Sequence, residues 1–521
     1  MSRGFLRSTS VVGGLTLLSR ISGLVRDMVY SHAFGAGTLM DAFLVAFKIP
    51  NFLRRLTAEG AFSQAFVPVI SEYKVRRSPA EVRELVGSVS GTLGAALFVL
   101  TAVGVIAAPL LVLVFAPGFT QEGERFDLTV DMLRLTFPYI FFMSLVALSS
   151  GILNSYGRFA VPAFTPVLLN AVMIVFASVV APNFERPGIA LAAGVFVAGL
   201  VQLLLQLPAL RALALLPMPR WGWSHEGVRR IARLMLPGIF GSSVAQISLL
   251  LDTLIASFLV TGSIAWMYYA DRLVEFPLGV FSIALATVIL PGLSSHHALE
   301  DRSQFSSTLD WALRLTVVIV TPAAIGLAFL AAPLMATIFG YGAFDAADVQ
   351  MSSYALVAYA IGLVGFSMVK VLAPGYFARQ DTRTPVKVGI IALAANLGFN
   401  VAVVVPAHLT GFSAPHALLA LSTGLSAGLN SLLLYRGLRR TGVYAPSGRW
   451  RRLLPQVLAA NAAMAAFLWW AAGDWASWPG MTALERVLRL SACVGGGAVI
   501  YFATLVAFGA RPGDFRGAAS R

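Results

Sequence analysis

Apolar runs of about twenty residues recur along this chain, and a helix of that length spans a hydrocarbon layer about 30 Å thick. By that measure fourteen candidate spans fit, centred near residues 18, 50, 100, 142, 170, 200, 245, 277, 325, 363, 395, 424, 462 and 497. Inside lipid an unpaired backbone group finds no water, so only helices or closed barrels cross it. Segments of this length therefore predict an all-α polytopic membrane protein with about fourteen transmembrane helices. Composition agrees, with 12% charged residues among 521, against roughly 25% in a soluble domain.

The charge is distributed as a membrane topology requires. Fourteen spans put both termini on one side, and the distribution of Lys and Arg among the loops decides which. With the N-terminus in the cytoplasm, about 25 of the 38 Lys and Arg fall in cytoplasmic loops and tails. About three (Arg125, Arg186 and Arg486) face the other side and about ten lie inside spans, the asymmetry of the positive-inside rule. That accounts for the positive charge without nucleic acid, which is excluded as a partner. The expectation is a multi-pass membrane protein with cytoplasmic termini. The single cysteine, Cys493, lies in an apolar run and excludes an internal disulfide. The segment from Pro219 to Arg233 is too polar to span, and its Trp221, Trp223 and basic turn suit either a helix lying in the interface or a charged loop.

An internal repeat organises the spans. Ala107-Ala108-Pro109-Leu110, with Phe115 and Gly118, recurs as Ala331-Ala332-Pro333-Leu334, with Phe339 and Gly342, at an offset of 224. Pro68 matches Pro291, and Pro162 matches Pro385, each at 223. Six spans per repeat is an even number, so the halves share orientation and are related by a pseudo-twofold along the membrane normal. Residues 1–218 form an N-terminal lobe, 219–445 a C-terminal lobe, 446–510 an added helix pair and 511–521 a cytoplasmic tail.

Ionisable residues inside a membrane are expensive, and here they crowd into three spans. The first carries Arg20, Arg26 and Asp27; the second Asp41, Lys48, Arg54, Arg55 and Glu59; the eighth Asp271, Arg272 and Glu275. Asp41, Lys48 and Arg55 recur every seven residues, so they share one helical face with only about 20° of drift per heptad. Glu59 is one turn past Arg55 and can pair with it. Such stripes must face an interior. One reading is a set of ion pairs that staple helices together; the other is a hydrated cavity whose surplus arginine meets an anion, since a guanidinium grips phosphate oxygens two at a time.

Four stretches carry a family resemblance. SRISGLVRD (Ser19 to Asp27), DAFLVAFKIPNFLRRLTAEGAFSQAFVP (Asp41 to Pro68), WMYYADRLVEFP (Trp266 to Pro277) and KVLAPGYFARQDTRTPVK (Lys370 to Lys387) resemble the MurJ (MviN) family, in order and over essentially the whole chain. That family comprises lipid II flippases of peptidoglycan synthesis, in the superfamily that also holds the MATE drug exporters. The resemblance implies alternating access of two lobes around a cationic central cavity that takes lipid II, an undecaprenyl pyrophosphate bearing a disaccharide-pentapeptide. It implies a place in the bacterial inner membrane, substrate contact from Arg20, Arg26, Arg55 and Arg272, and functional weight at the acids Asp27, Asp41 and Glu59. The charged stripes add Asp41, Lys48 and Arg54 to the substrate contacts, although Arg54 equally suits the cytoplasmic headgroups, and add Glu275 to a gating charge network with Asp27 and Glu59. The resemblance further implies a lipid-tail groove formed with the last two helices, and a monomer in the phospholipid bilayer that can contact the cell-wall synthesis machinery. Trp469 and Trp470 in that pair also suit interface anchors.

No cofactor is expected beyond sodium. Asp252 is a lone acid in the seventh span, and Asn396 and Asn400 sit one turn apart on the eleventh. Some family members place sodium on these helices, and hard cations take oxygen ligands; helix-bridging asparagines beside a protonated Asp252 would equally satisfy the pattern. Nothing resembles an enzyme: no nucleotide-binding glycine loop and no metal spacing are present. Without an ATP motif the drive is membrane potential, an ion gradient or substrate consumption. The competing function is a MATE-like drug or metabolite exporter, which would use acids rather than arginines against cationic substrates.

Overall fold

The computed structural model describes residues 3–55, 62–216 and 218–511. Among these residues there are helices and no strands. The chain divides between Gly262 and Ser263 into two compact units. Eleven helical stretches among the described residues are long and apolar enough to cross a membrane. The predicted spans outside that number are those centred near 18, 50 and 245. The middle one fails on length and polarity together, since Thr38–Arg54 is 17 residues long and includes Asp41, Lys48 and Arg54.

The first unit contains α1 (Arg3–Phe34), α2 (Thr38–Arg54), α3 (Ser63–Arg76), α4 (Pro79–Ile106), α5 (Ala108–Phe115), α6 (Gly123–Thr136), α7 (Tyr139–Ser155), α8 (Ala160–Val175), α9 (Pro187–Ala212) and α10 (Glu226–Ser257). α1 packs on α8, α2 on α6, and α7 and α8 on α9. α10 packs against α3, α4 and α5, so this unit includes it, whereas internal similarity alone begins the second lobe at residue 219. Ser78 opens α4 with a full capping box: its side chain accepts the Glu81 N–H while Glu81 reaches back to the Ser78 N–H. Two of the four orphan amides of the first turn are thereby satisfied.

The second unit contains α11 (Ser263–Pro277), α12 (Ile283–Ala298), α13 (Arg302–Phe329), α14 (Ala331–Ile338), α15 (Ala346–Phe377), α16 (Arg383–Phe399), α17 (Val405–Leu409), α18 (Pro415–Arg440), α19 (Trp450–Ala472) and α20 (Ala483–Ala507). The repeated Ala-Ala-Pro-Leu motif has a structural counterpart. A 28-residue helix followed by an 8-residue helix occurs as α4 and α5, and again as α13 and α14. A π-helical turn over Leu278–Ser282 joins α11 to α12. Arg55, its equivalent at the repeat offset of 223, also has π-helical geometry, at the end of α2. Such turns interrupt the hydrogen-bond ladder where a helix must change direction, often at functional positions.

Two devices hold the second unit together. On α15 and α18, Gly362 faces Gly424 and Gly365 faces Gly428; a Cβ on Gly362 would stand 2.3 Å from the Gly424 Cα. Lipid gives helices no hydrophobic reason to associate, so this backbone approach supplies the dispersion contact instead. The second device is Asp310 on α13, nearly fully buried. It accepts from Tyr444 Oη at 2.9 Å, Ser447 Oγ at 2.7 Å, Trp450 Nε1 at 2.7 Å and Arg314 Nε at 3.0 Å. The turn entering α19 is thereby tied to α13.

Leucine at Gly362 would force α15 and α18 apart. Overpacking of this kind should remove roughly 1–3 kcal/mol, read as a lowered unfolding temperature in detergent, while leucine at Gly398, whose Cβ position is open, should leave the midpoint unchanged.

Candidate functional site

α1 brings Arg26 and Asp27 to one point at 6% and 1% exposure. Arg26 Nε and Nη2 donate to Asp27 Oδ1 at 3.0 and 2.7 Å, and Nη1 donates to Asn170 Oδ1 at 3.1 Å. Asn170 comes from α8 and donates through Nδ2 to Ser19 O and Ser22 Oγ at 3.0 and 2.9 Å. A Cβ on Gly23 would lie 3.5 Å from that Nδ2, so the glycine leaves the amide room against α1. One neutral side chain thus fixes both the guanidinium and the helix carrying it. Arg20, seven residues before Asp27, is exposed.

The heptad stripe of α2 is present and graded. At one end Asp41 is fully buried and accepts Arg125 Nη2 at 2.5 Å and the Gly262 N–H at 2.7 Å. Arg125 reaches it from α6 with its guanidinium 3.9 Å from the Phe119 ring centre. One heptad on, Lys48 is half-buried and donates to Thr253 Oγ1 of α10 at 2.7 Å. Another heptad on, Arg55 is exposed, and beside it Arg54 Nε donates to Asn51 Oδ1 at 3.1 Å. The stripe therefore runs from a closed, paired end at Asp41 to an open cationic end at Arg55. Glu59 lies outside the described residues.

In the second unit Arg272 on α11 is partly exposed. Its Nη1 donates to Glu275 Oε2 at 3.0 Å and its Nη2 to Tyr268 Oη at 3.1 Å, over whose ring it lies at 4.9 Å. Pairing and stacking pre-orient this guanidinium while leaving it accessible. The QDTRTP turn is capped by Asp381, which accepts the Thr384 N–H at 3.0 Å and Thr384 Oγ1 at 2.7 Å. Burial pushes the Asp381 carboxyl up, but the Thr384 hydrogen bonds outweigh it and hold the group below the ordinary carboxylate value.

The residues read as a sodium site are all buried. Asn400 Nδ2 donates to Asn396 Oδ1, and Asn396 Nδ2 to Ser422 Oγ, both at 3.1 Å, bridging α16 to α18. Asn400 Oδ1 is buried and accepts no hydrogen bond from the described residues, so it is an oxygen a hard cation can take. Among the described residues no three His, Cys, Asp or Glu cluster as a metal site.

Two residues escaped sequence reasoning. Arg125 reads as a loop charge, yet it is 2% exposed; the available signal was an arginine retained against the positive-inside bias. Asn170 is a lone amide in the apolar run PVLLNAVMIVF, where a polar side chain needs a specific partner. Replacing Arg125 by methionine leaves the Asp41 carboxylate buried beside an apolar group and should destabilise by roughly 3–5 kcal/mol. Adding Asp41→Asn removes that stranded charge, so the double variant should unfold at a higher temperature than Arg125→Met alone.

Comparison with known proteins bears on the whole chain. The family described as lipid II flippase MurJ matches residues 30–488. A probable lipid II flippase MurJ of Haemophilus influenzae is 46% identical over 95% of this chain and 98% of its own length. The lipid II flippase MurJ of Burkholderia cenocepacia is 45% identical over 98% of each. A solved lipid II flippase MurJ in an inward closed conformation superposes with a TM-score of 0.77 at 25% identity, covering 95% of this chain and 99% of the other. A multidrug resistance MATE family transporter of the MOP superfamily, inward-facing, shares the fold at a TM-score of 0.61 and 15% identity, over 83% of this chain and 98% of its own.

Proposed function

This chain belongs to the lipid II flippase MurJ family, and on that premise we propose that it carries lipid II across the bacterial inner membrane, from the cytoplasmic to the periplasmic leaflet, by alternating access. It is a transporter, and no chemical step is required of it. The observation that carries the reading is the graded stripe of α2. A pyrophosphate approaching from the basic side meets accessible guanidinium at Arg55, and the way beyond is closed where Asp41 is already neutralised by Arg125.

In this reading Arg20, Arg55 and Arg272 meet the pyrophosphate first, with Lys48 and Arg54 beside them, and Arg26 exchanges its Asp27 partner for a phosphate oxygen when the substrate is seated. Asp27, Glu59 and Glu275 return the arginines to internal pairs after release, which lets the empty carrier reset. Asp41 belongs to the closed end. The abundance of Lys and Arg in and around the loops after α3, before α10 and before α19 supports cytoplasmic termini. All of these residues come from one chain, so a monomer suffices. Sodium at Asp252, Asn396 and Asn400 would couple the cycle to an ion gradient, and the orphan oxygen of Asn400 supports that placement.

The test is complementation. Cells depleted of their own lipid II flippase should grow on the parent chain and fail on Arg26→Ala, Arg55→Ala or Arg272→Ala, each made at normal levels in the membrane. Each lost charged hydrogen bond to phosphate is worth about 1.5–3 kcal/mol. Lysine at these positions should rescue only in part, because it lacks the bidentate fork. Growth on all three alanine variants would refute the arginine assignment, and sodium dependence lost in Asp252→Ala would establish the ion site.

A further inference from the structure

The segment leading into α10 is built differently from the other connections. Residues 218–225 form no helix; they run along the flank of α4. The Arg220 N–H donates to Gly87 O at 3.0 Å and the Gly222 N–H to Thr92 Oγ1 at 3.1 Å. Glycines permit the approach: a Cβ on Gly87 would stand 2.8 Å from Met218 O, and one on Gly91 would stand 2.1 Å from Arg220 O. Any larger residue at Gly91 would lift the segment off the helix.

This docking changes what faces outward. Residues 85–90 of α4 are buried all round, whereas farther along the same helix Phe98 and Val99 are exposed. Over the first stretch the docked segment has taken the place of α4 as the outer surface, and it presents Trp221 at 72%, Trp223 at 52% and Met218 at 75% exposure. The depth is set by the helix beneath. Glu84 is the last charged residue of α4, and Gly87 and Thr92 lie about 4.5–12 Å beyond it along the helix axis. Irregular backbone is tolerated there because α4 supplies hydrogen-bond partners that lipid cannot. Exposed indole rings at this level match the amphipathic belt where headgroups meet acyl chains. Around them stand Arg220, Arg229 and Arg233, all exposed, with Arg229 Nε donating to Trp223 O at 3.1 Å.

We propose that residues 218–225 are an interfacial anchor that faces lipid with Trp221 and Trp223 and selects anionic headgroups with Arg220, Arg229 and Arg233. The anchor fixes the start of α10 against the bilayer, and the inference is independent of what the chain transports. Charge complementarity commits the surface to an anionic lipid: three arginines and two amphipathic rings fit a phosphate headgroup above an acyl chain. A soluble acidic protein docking here would require these rings to lie in water.

The experiment uses the full chain in nanodiscs whose lipids carry bromine on the acyl chains, under either phosphatidylglycerol or phosphatidylcholine headgroups. The chain has nine tryptophans, so the emission of these two is taken as the difference between the parent and a Trp221→Phe, Trp223→Phe chain, a change that keeps an apolar ring at each position. That difference should be quenched by brominated lipid, and about twofold or more strongly under the anionic headgroup. Arg220→Gln, Arg229→Gln and Arg233→Gln together should abolish the headgroup preference and retain the quenching. An unquenched difference would place the rings in water or against a protein and overturn the anchor. Equal quenching under the two headgroups would overturn the lipid selection. As a second reading, Trp221→Cys in a Cys493→Ser background should react with a water-soluble maleimide more slowly than Ser224→Cys in the same background; equal rates would likewise overturn the anchor.

Discussion

A guanidinium inside an apolar layer has to be met by a carboxylate, a carbonyl or a ligand, because its desolvation is otherwise uncompensated. The buried arginines of this chain answer that requirement in distinct ways. Arg26 leans on Asp27 and Asn170, Arg125 on Asp41, and Arg314 on Asp310. Arg486 instead takes the backbone carbonyls of Ala336, Gly340, Pro479 and Met481. That arrangement caps the end of α14 and binds α20 to it without any acid. Arg125 and Arg486 bridge separate elements, Arg26 does so through Asn170, and Arg314 supports Asp310 within α13. Arg20, Arg55 and Arg272 are the other kind: accessible, or pre-oriented by an exposed partner, and so able to meet a charge that arrives from outside.

The distinction gives the charge pattern its meaning. Ion pairs that staple helices and arginines that receive an anion were both readings of the charged spans; the structure holds buried, paired arginines of the first kind, and its accessible arginines are the ones the proposed function assigns to the second. Asp41 sits with the first kind and Arg55 with the second, although they lie on one face of one helix. Neutralisation at the Asp41 end and availability at the Arg55 end give the stripe a direction, as a carrier of an anionic headgroup requires. Arg26 stands between the two kinds, buried and paired yet held by a neutral amide that does not compete with phosphate for its charge.

Much of this was legible in the residues. Twenty-residue apolar runs fixed the helical class, and the heptad of Asp41, Lys48 and Arg55 placed three charges on one face before any coordinates. The repeat of Ala107-Ala108-Pro109 at Ala331-Ala332-Pro333 marked the short helices α5 and α14. What was not legible depended on partners distant in sequence. Arg125 and Asp41 are 84 residues apart and Arg26 and Asn170 are 144 apart, and no local periodicity records such pairs. The docking of residues 218–225 on Gly87 and Gly91 was equally invisible, since glycine in a span reads only as a small residue. Its tryptophans and basic turn suited either an interfacial helix or a charged loop, and hydrogen bonding of the Arg220 and Gly222 amides to α4 holds residues 218–225 as a non-helical segment.

The account turns on movement of lipid II, and vesicles holding the purified chain test that directly. With fluorescent lipid II in both leaflets, a membrane-impermeant reductant destroys the outer-leaflet label, and any further loss reports translocation. The account predicts loss well beyond the outer-leaflet fraction with the parent chain, retention of the inner-leaflet label with Arg272→Ala, and no comparable movement of a labelled zwitterionic phospholipid. Loss that stops at the outer-leaflet fraction with the parent chain, or that proceeds equally without the arginine, would contradict it.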